Sequence, residues 1–139
     1  MSSTPTAPRH RILIVDDEEA TRLLLARIIS RDIGAEVDLA GTCEQALRLA
    51  GNYAYDAILL DLMMPGVGGF GVLKEIRAAS PNMATPIVIV SVLPSKEHRD
   101  RCLGAGASAY LEKPVERAAL ARTVKAQIAG RKRPKTARS

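Results

Sequence analysis

Three short runs along the chain, Ile12–Val15 (ILIV), Ala57–Leu60 (AILL) and Ile87–Val90 (IVIV), hold no polar residue at all. Runs of that kind suit strands buried on both faces, as in a parallel sheet covered by helices. Between them apolar positions return at helical spacing, as Ala20, Leu24 and Ile28 do. Read in order, the pattern predicts strands over Arg11–Val15, Glu36–Leu39, Ala57–Leu60, Ile87–Ser91 and Ala109–Leu111. Each is followed by a predicted helix, over Glu18–Arg31, Thr42–Ala50, Gly69–Ala79, Lys96–Leu103 and Glu116–Ile128. Glu18 and Glu19 put negative charge at the positive end of the first helix dipole. Thr42, with Gln45 three residues on, reads as an N-cap with a capping box. Five strand–helix pairs with short connections imply right-handed crossovers. The predicted fold is therefore α/β and doubly wound, a five-stranded parallel sheet with helices on both faces.

That architecture gives the strand ends a special status, because an open α/β sheet binds its ligands in the crevice outside them. Asp16 and Asp17 close the first strand and Asp61 closes the third. Carboxylates gathered in one crevice repel each other unless a hard divalent cation such as Mg²⁺ bridges them. The three acids thus predict a metal site. The plain alternative is solvated loop carboxylates, which leaves consecutive unpaired acids at strand ends without a structural reason.

Composition narrows the picture further. The chain has 139 residues, 47% hydrophobic and 25% charged, enough for one core. Its formal charge of +5 is matched by Arg131, Lys132, Arg133, Lys135 and Arg138, a run without an acid; setting these aside leaves 15 basic against 15 acidic residues. The basic run reads as a solvated tail, and direct nucleic-acid binding is not expected. Residues 1–9 read as a disordered leader and 130–139 as a disordered tail, so the domain occupies 10–129. Cys43 and Cys102 fit no metal or redox spacing and read as buried free thiols; His10 and His98 are too isolated to suggest a ligand cluster. No secretory leader or membrane-length apolar span is legible, so a cytoplasmic protein is expected.

Asp16 and Asp17, the stretch LLDLMMPG at 59–66, Ser91 ending the fourth predicted strand and Lys113-Pro114 after the fifth together resemble the motif set of the response-regulator receiver domain of two-component signalling. The resemblance covers about residues 10–129. It implies the flavodoxin-like receiver fold and a phosphoryl group accepted on Asp61 from a sensor histidine kinase, a histidine phosphotransfer protein or a small acyl phosphate. It implies Mg²⁺ held directly by Asp17, Asp61 and the backbone carbonyl of Met63, with Asp16 acting largely through water. Ser91 and Lys113 would contact phosphoryl oxygens, the lysine as a point charge. Lys113-Pro114 corresponds to a cis peptide of the family, and Tyr110 to its switching aromatic, which would fill the space left when phosphorylation draws the Ser91 hydroxyl inward. Such a protein is a phosphoacceptor switch that catalyses only its own phosphorylation and dephosphorylation. Read as a complete chain it is a stand-alone receiver in a phosphorelay, with output through a downstream effector protein and with dimerisation through the fifth helix left open.

Several positions depart from the family pattern. The loop Met64-Pro65-Gly66-Val67-Gly68-Gly69 replaces the usual Met-Pro-x-Met-Asp-Gly, so Gly68 stands where an acid is common, and the loop reads as permissive. Val92 follows the switch hydroxyl where a small residue is typical, and is expected to narrow the phosphoryl entrance. Met63 and Leu93 are apolar where some relatives orient attacking water, which implies a long-lived phosphorylated state. Gly66, Gly68 and Gly71 also spell G-x-G-x-x-G, the dinucleotide-binding pattern, but they follow the third strand rather than the first, and no acid lies near Ser91 to hold a ribose. A phosphatase built on a nucleophilic aspartate fails at Met63, where a second acid is needed. Two alternatives share the fold: a phosphorylation-independent docking module, and a receiver fragment of a longer regulator.

Overall fold

The computed structural model describes residues 10–92 and 96–130. The expected leader, the expected tail from residue 131 and Leu93 lie outside the described residues. Five strands alternate with five helices: β1 (Arg11–Val15), α1 (Glu19–Asp32), β2 (Glu36–Ala40), α2 (Cys43–Asn52), β3 (Ala57–Leu60), α3 (Gly68–Ala78), β4 (Ile87–Ser91), α4 (Lys96–Gly104), β5 (Ala109–Glu112) and α5 (Arg117–Gly130). All strand pairs are parallel and the sheet order is β2-β1-β3-β4-β5. The doubly wound α/β fold predicted above is the one observed.

Element ends differ from expectation by one or two residues, and bonding explains several of them. Glu18 is the N-cap of α1 rather than its first residue; its side chain makes no cap bond and instead accepts from the Thr21 hydroxyl at 2.6 Å. β2 runs on to Ala40 because Ala40 pairs with Val15 and its carbonyl accepts the Asp16 N–H at 3.1 Å. Gly130 closes α5 rather than opening a tail. The Gln45 N–H donates to Thr42 Oγ1 at 3.1 Å as a capping box requires, but Gln45 Oε1 accepts from Gly41 instead of Thr42, at 2.9 Å.

Alternation along the strands divides the core into two layers. Leu13, Val15, Ile58, Leu60, Ile87 and Ile89 face α2, α3 and α4, meeting Ala46, Val72, Leu73, Ile76 and Cys102. Ile12, Ile14, Leu59, Val88 and Val90 face α1 and α5, meeting Leu25, Ile28, Ile29, Leu120 and Val124. Each fully buried Leu or Ile contributes about 1.5–3 kcal/mol relative to exposure, so the central strands β1, β3 and β4 anchor the domain. Both cysteines are free and buried, as expected. Among the described residues no helix is long and apolar enough to cross a membrane.

Candidate functional site

β1 and β3 pair in register, Val15 opposite Leu60, so the residues that follow them emerge side by side. The Asp61 N–H donates to the Val15 carbonyl at 3.0 Å and the Asp16 N–H to that of Ala40, which carries both aspartates one step past the strands on fixed backbone. Asp16 and Asp61 are buried, at 1% and 4% exposure, while Asp17 is exposed. One carboxylate oxygen from each of the three lies within 4.8 Å of the others. The strand ends therefore gather the acids that the sequence pattern marked out.

Lys113 completes the cluster from the end of β5. Its N–H donates to the Ser91 carbonyl at 2.8 Å, which continues the β4–β5 ladder, and the Lys113–Pro114 peptide is cis. Its Nζ lies 2.8 Å from Asp16 Oδ2 and 3.5 Å from Asp61 Oδ2. The expectation of unpaired acids is thus corrected for Asp16: its Oδ2 holds the lysine and its Oδ1 accepts the Glu18 N–H at 2.9 Å. Burial pushes the Asp61 carboxyl above its usual range, opposed by the Met63 N–H and the Lys113 charge and reinforced by Asp16. Burial works against the Lys113 ammonium, but the Asp16 hydrogen bond and the two carboxylates outweigh it and hold its pKa up. Of the three carboxylates, Asp16 and Asp61 share the Lys113 ammonium and Asp17 does not reach it, so the cluster is short of positive charge. An all-oxygen donor set with surplus negative charge fits Mg²⁺, with Asp17 and Asp61 as the available carboxylates.

The loop from β3 to α3 is shaped around Asp61. Asp61 Oδ1 accepts the Met63 N–H at 3.2 Å, and the Leu62 carbonyl accepts from Met64 and from Gly69, at 3.1 and 3.0 Å. A Cβ on Gly69 would stand 2.0 Å from the Asp61 carbonyl oxygen, so only glycine lets α3 start this close to β3. Gly66 and Gly68 have φ of 88° and 77°, where L side chains are strained. The first two glycines of the G-x-G-x-x-G pattern thus serve a tight loop, and the third, Gly71, lies within α3. The Cys43 thiol donates to the Pro65 carbonyl at 3.3 Å and ties α2 to the same loop.

Ser91, fully buried at the end of β4, shares a side-chain hydrogen bond with Tyr110, whose hydroxyl burial pushes above its usual pKa. Tyr110 is half-buried against the α2–α3–α4 layer. Val92, 54% exposed, lines an open cavity of about 350 Å³ with Lys113, Pro114, Glu18, Thr21 and Leu24. His10 lies 3.7 Å from Asp56 at the far end of the sheet, and His98 is on α4, so neither joins the acids.

One residue of this site escaped the sequence reading. Arg22 Nη1 donates to the Asp16 carbonyl at 2.7 Å. The available signal was a base about one turn into the helix that follows an acidic pair, which charge patterning alone assigns to a solvated helix face.

Comparison with known proteins agrees with this geometry. The response regulator receiver domain family matches residues 12–125. Among curated relatives, the sensory/regulatory protein RpfC of Xanthomonas campestris is 39% identical over 82% of this chain and 16% of its own length. The response regulator MprA of a Mycobacterium species is 39% identical over 75% of this chain and 44% of its own. The chain thus spans less than half the length of these relatives. Among solved structures, a CheY-like response regulator receiver domain protein from Methanospirillum hungatei superposes with a TM-score of 0.82 at 29% identity, covering 88% of this chain and 96% of that one. The receiver domain of the sensor histidine kinase PA1611 from Pseudomonas aeruginosa, with a magnesium ion coordinated in its active site cleft, gives 0.80 at 32%, covering 88% and 99%. With the acids, lysine, serine and cis peptide in place at the carboxyl edge of a five-stranded parallel sheet, the chain belongs to the response regulator receiver domain family.

Proposed function

We propose that this receiver is a phosphorylation-dependent signalling switch that takes a phosphoryl group on Asp61. The observation that carries this reading is the buried cluster in which Lys113 spans Asp16 and Asp61 with Asp17 at its mouth. An Asp61 oxygen attacks the phosphorus of a phosphohistidine or small acyl phosphate. A P–O bond forms to Asp61, and the bond to the donor breaks with its electron pair leaving on imidazole or carboxylate. The product is an aspartyl phosphate. Such transfer is mostly positioning and charge neutralisation, so the site needs cations rather than an elaborate base. Mg²⁺, held by Asp17, Asp61 and the Met63 backbone carbonyl with Asp16 acting largely through water, would neutralise charge on the phosphoryl oxygens. Lys113 moves its charge from the carboxylates to a phosphoryl oxygen. Ser91 donates its hydroxyl to another and gives up Tyr110, whose ring then repacks and alters the β5 surface read by a partner. The phosphate need only bind that conformer more tightly than the resting one.

The donor would be a sensor histidine kinase or phosphotransfer protein and the reader a downstream effector, in keeping with relatives named as sensory and response regulators. The chain would act only on itself, as a switch rather than an enzyme with a separate substrate. Met63, 52% exposed two residues past Asp61, carries no polar group able to orient attacking water, so the phosphorylated form should be long-lived. The test is intact mass after incubation with Mg²⁺ and acetyl phosphate beside Asp61→Ala. One phosphoryl adduct in the wild type, absent from the variant, supports the reading. No adduct here, and none from a phosphorylated histidine kinase, would overturn it in favour of a docking module that works without phosphorylation.

A further inference from the structure

We propose that Arg22 is a positioning residue for the acidic pair, fixing the peptide between Asp16 and Asp17 so that the Asp17 carboxylate meets the cation. The inference rests on the Mg²⁺ reading of the site. Leaving β1, the chain must turn into α1 within three residues, and four hydrogen bonds define that turn. The Asp16 N–H donates to Ala40 at 3.1 Å, the Glu18 N–H to Asp16 Oδ1 at 2.9 Å, and the Arg22 N–H to the Glu18 carbonyl at 3.0 Å. The fourth and shortest, Arg22 Nη1 to the Asp16 carbonyl at 2.7 Å, holds the peptide plane that joins the two aspartates.

Asp17 has no such anchor of its own. Among the described residues no hydrogen bond or ion pair fixes its carboxylate, which is exposed, whereas both Asp16 oxygens are engaged. The direction of Asp17 is therefore set by the backbone that precedes it, and Arg22 controls that backbone. The guanidinium is half-buried against the end of β2: a Cβ on Gly41 would lie 2.8 Å from Nη1, so the missing side chain at Gly41 makes the space Arg22 occupies. One side chain thus links the ends of β1 and β2 to the first turns of α1. Removing a group that orients the ligands from outside the ligand set typically costs about 10- to 100-fold in metal affinity.

Simple electrostatics predicts the opposite outcome. A guanidinium beside a cation site repels the cation, so a bystander Arg22 would weaken Mg²⁺ binding and its removal would tighten it. The experiment is a Mg²⁺ titration followed by backbone amide NMR shifts in wild type, Arg22→Ala, Arg22→Lys and Gly41→Ala. Positioning predicts about tenfold weaker Mg²⁺ binding in Arg22→Ala, partial recovery in Arg22→Lys, and weakening in Gly41→Ala although its charge is unchanged. Gly41 is outside the left-handed region, so alanine there displaces the arginine without straining the backbone. Melting temperatures in EDTA should stay close to wild type, since no core contact is lost. Affinity unchanged or tighter in Arg22→Ala, or unchanged in Gly41→Ala, would overturn the assignment. Should Arg22→Ala not fold, Gly41→Ala and Arg22→Lys decide alone. A wild type that binds no Mg²⁺ would sink the metal reading and this inference together, a failure visible before any variant is compared.

Discussion

The two edges of the sheet treat polar side chains in opposite ways. At the amino-terminal edge they consume one another. Asn82, fully buried, accepts the Tyr55 N–H at 2.7 Å and the Thr85 hydroxyl at 2.9 Å on its Oδ1, and its Nδ2 donates to the carbonyls of Ala50 and Tyr53 at 2.7 and 2.8 Å. Beside it the Tyr55 hydroxyl donates at 2.7 Å to Asp38 Oδ2, which also takes the Arg11 guanidinium. At the carboxyl edge the acids outnumber their partners: Asp16 and Asp61 share Lys113, Asp17 stands beside them, and burial holds the Asp61 proton tighter than usual. A closed polar network rigidifies a fold, while an underpaired one stores a demand for charge that a ligand can meet. The closed edge lets the domain carry the open one.

The strongest way to break that comparison is Asn82→Ala. It strands a buried N–H and two carbonyls, while the Thr85 hydroxyl keeps the Tyr55 carbonyl at 3.1 Å, and should lower stability by about 3 kcal/mol, measured by urea unfolding. Mg²⁺ affinity of the folded protein should not change, because the two edges lie at opposite ends of the strands. A large loss of Mg²⁺ affinity would mean that the edges are one coupled network. Tyr55→Phe probes the same edge more gently and should cost about 1.5 kcal/mol near neutral pH, the worth of a hydrogen bond to a charged acceptor. Burial, then the Asp38 bond and charge, push the Tyr55 pKa above its ordinary value of 10.0. A raised folded pKa means that the hydroxyl's contribution is whole below pH 10 and is lost as pH rises through the folded value. The gap between wild type and Tyr55→Phe should therefore close above pH 10, and a gap that stays constant there would refute the assignment.

At the open edge the sign reverses. In EDTA, Asp61→Asn removes a buried carboxylate that Lys113 only partly offsets, and Lys113 keeps Asp16 at 2.8 Å. The variant should be more stable than wild type by about 1 kcal/mol. Mg²⁺ should then stabilise the wild type and leave the variant little changed, since a ligand shifts stability only through the state that binds it. A destabilised Asp61→Asn would place this edge in the same class as the other.

How far the sequence carried these conclusions depended on whether a residue's role was local. The strands were legible because ILIV, AILL and IVIV permit little besides burial on both faces; Asp16 and Asp61 were legible because they stand at the ends of such runs, and Ser91 and Lys113 through the resemblance to the receiver motif set. α4 was legible chiefly by its place in the alternation: KEHRDRCLG is polar nearly all round and buries only Cys102. Helix starts slipped where a side chain bonded differently from its usual pattern, as at Glu18. Asn82, in Ser80-Pro81-Asn82, reads as an ordinary turn residue, since the backbone groups its side chain holds lie 27 to 32 positions away. Arg22 failed to register because its hydrogen bond reaches backward out of its own helix, and Gly69 because the atom that forbids a side chain belongs to Asp61. Roles set by distant backbone leave no periodic trace.

The smallest expected effect concerns access to the open edge. Val92 is more than half exposed and lines the cavity it shares with Lys113 and Pro114. Its side chain adds little to the core, so Val92→Ala should change stability by no more than about 0.5 kcal/mol. If the valine narrows the approach to Asp61, a small acyl phosphate held by few contacts has little binding energy with which to offset the obstruction. The labelling rate with acetyl phosphate should then rise about threefold in Val92→Ala, under 1 kcal/mol of barrier. A phosphohistidine donor, seated by contacts across a whole protein surface, should gain less. Equal acetyl phosphate rates in wild type and variant would show that the entrance is already wide enough and that Val92 sets no preference among donors.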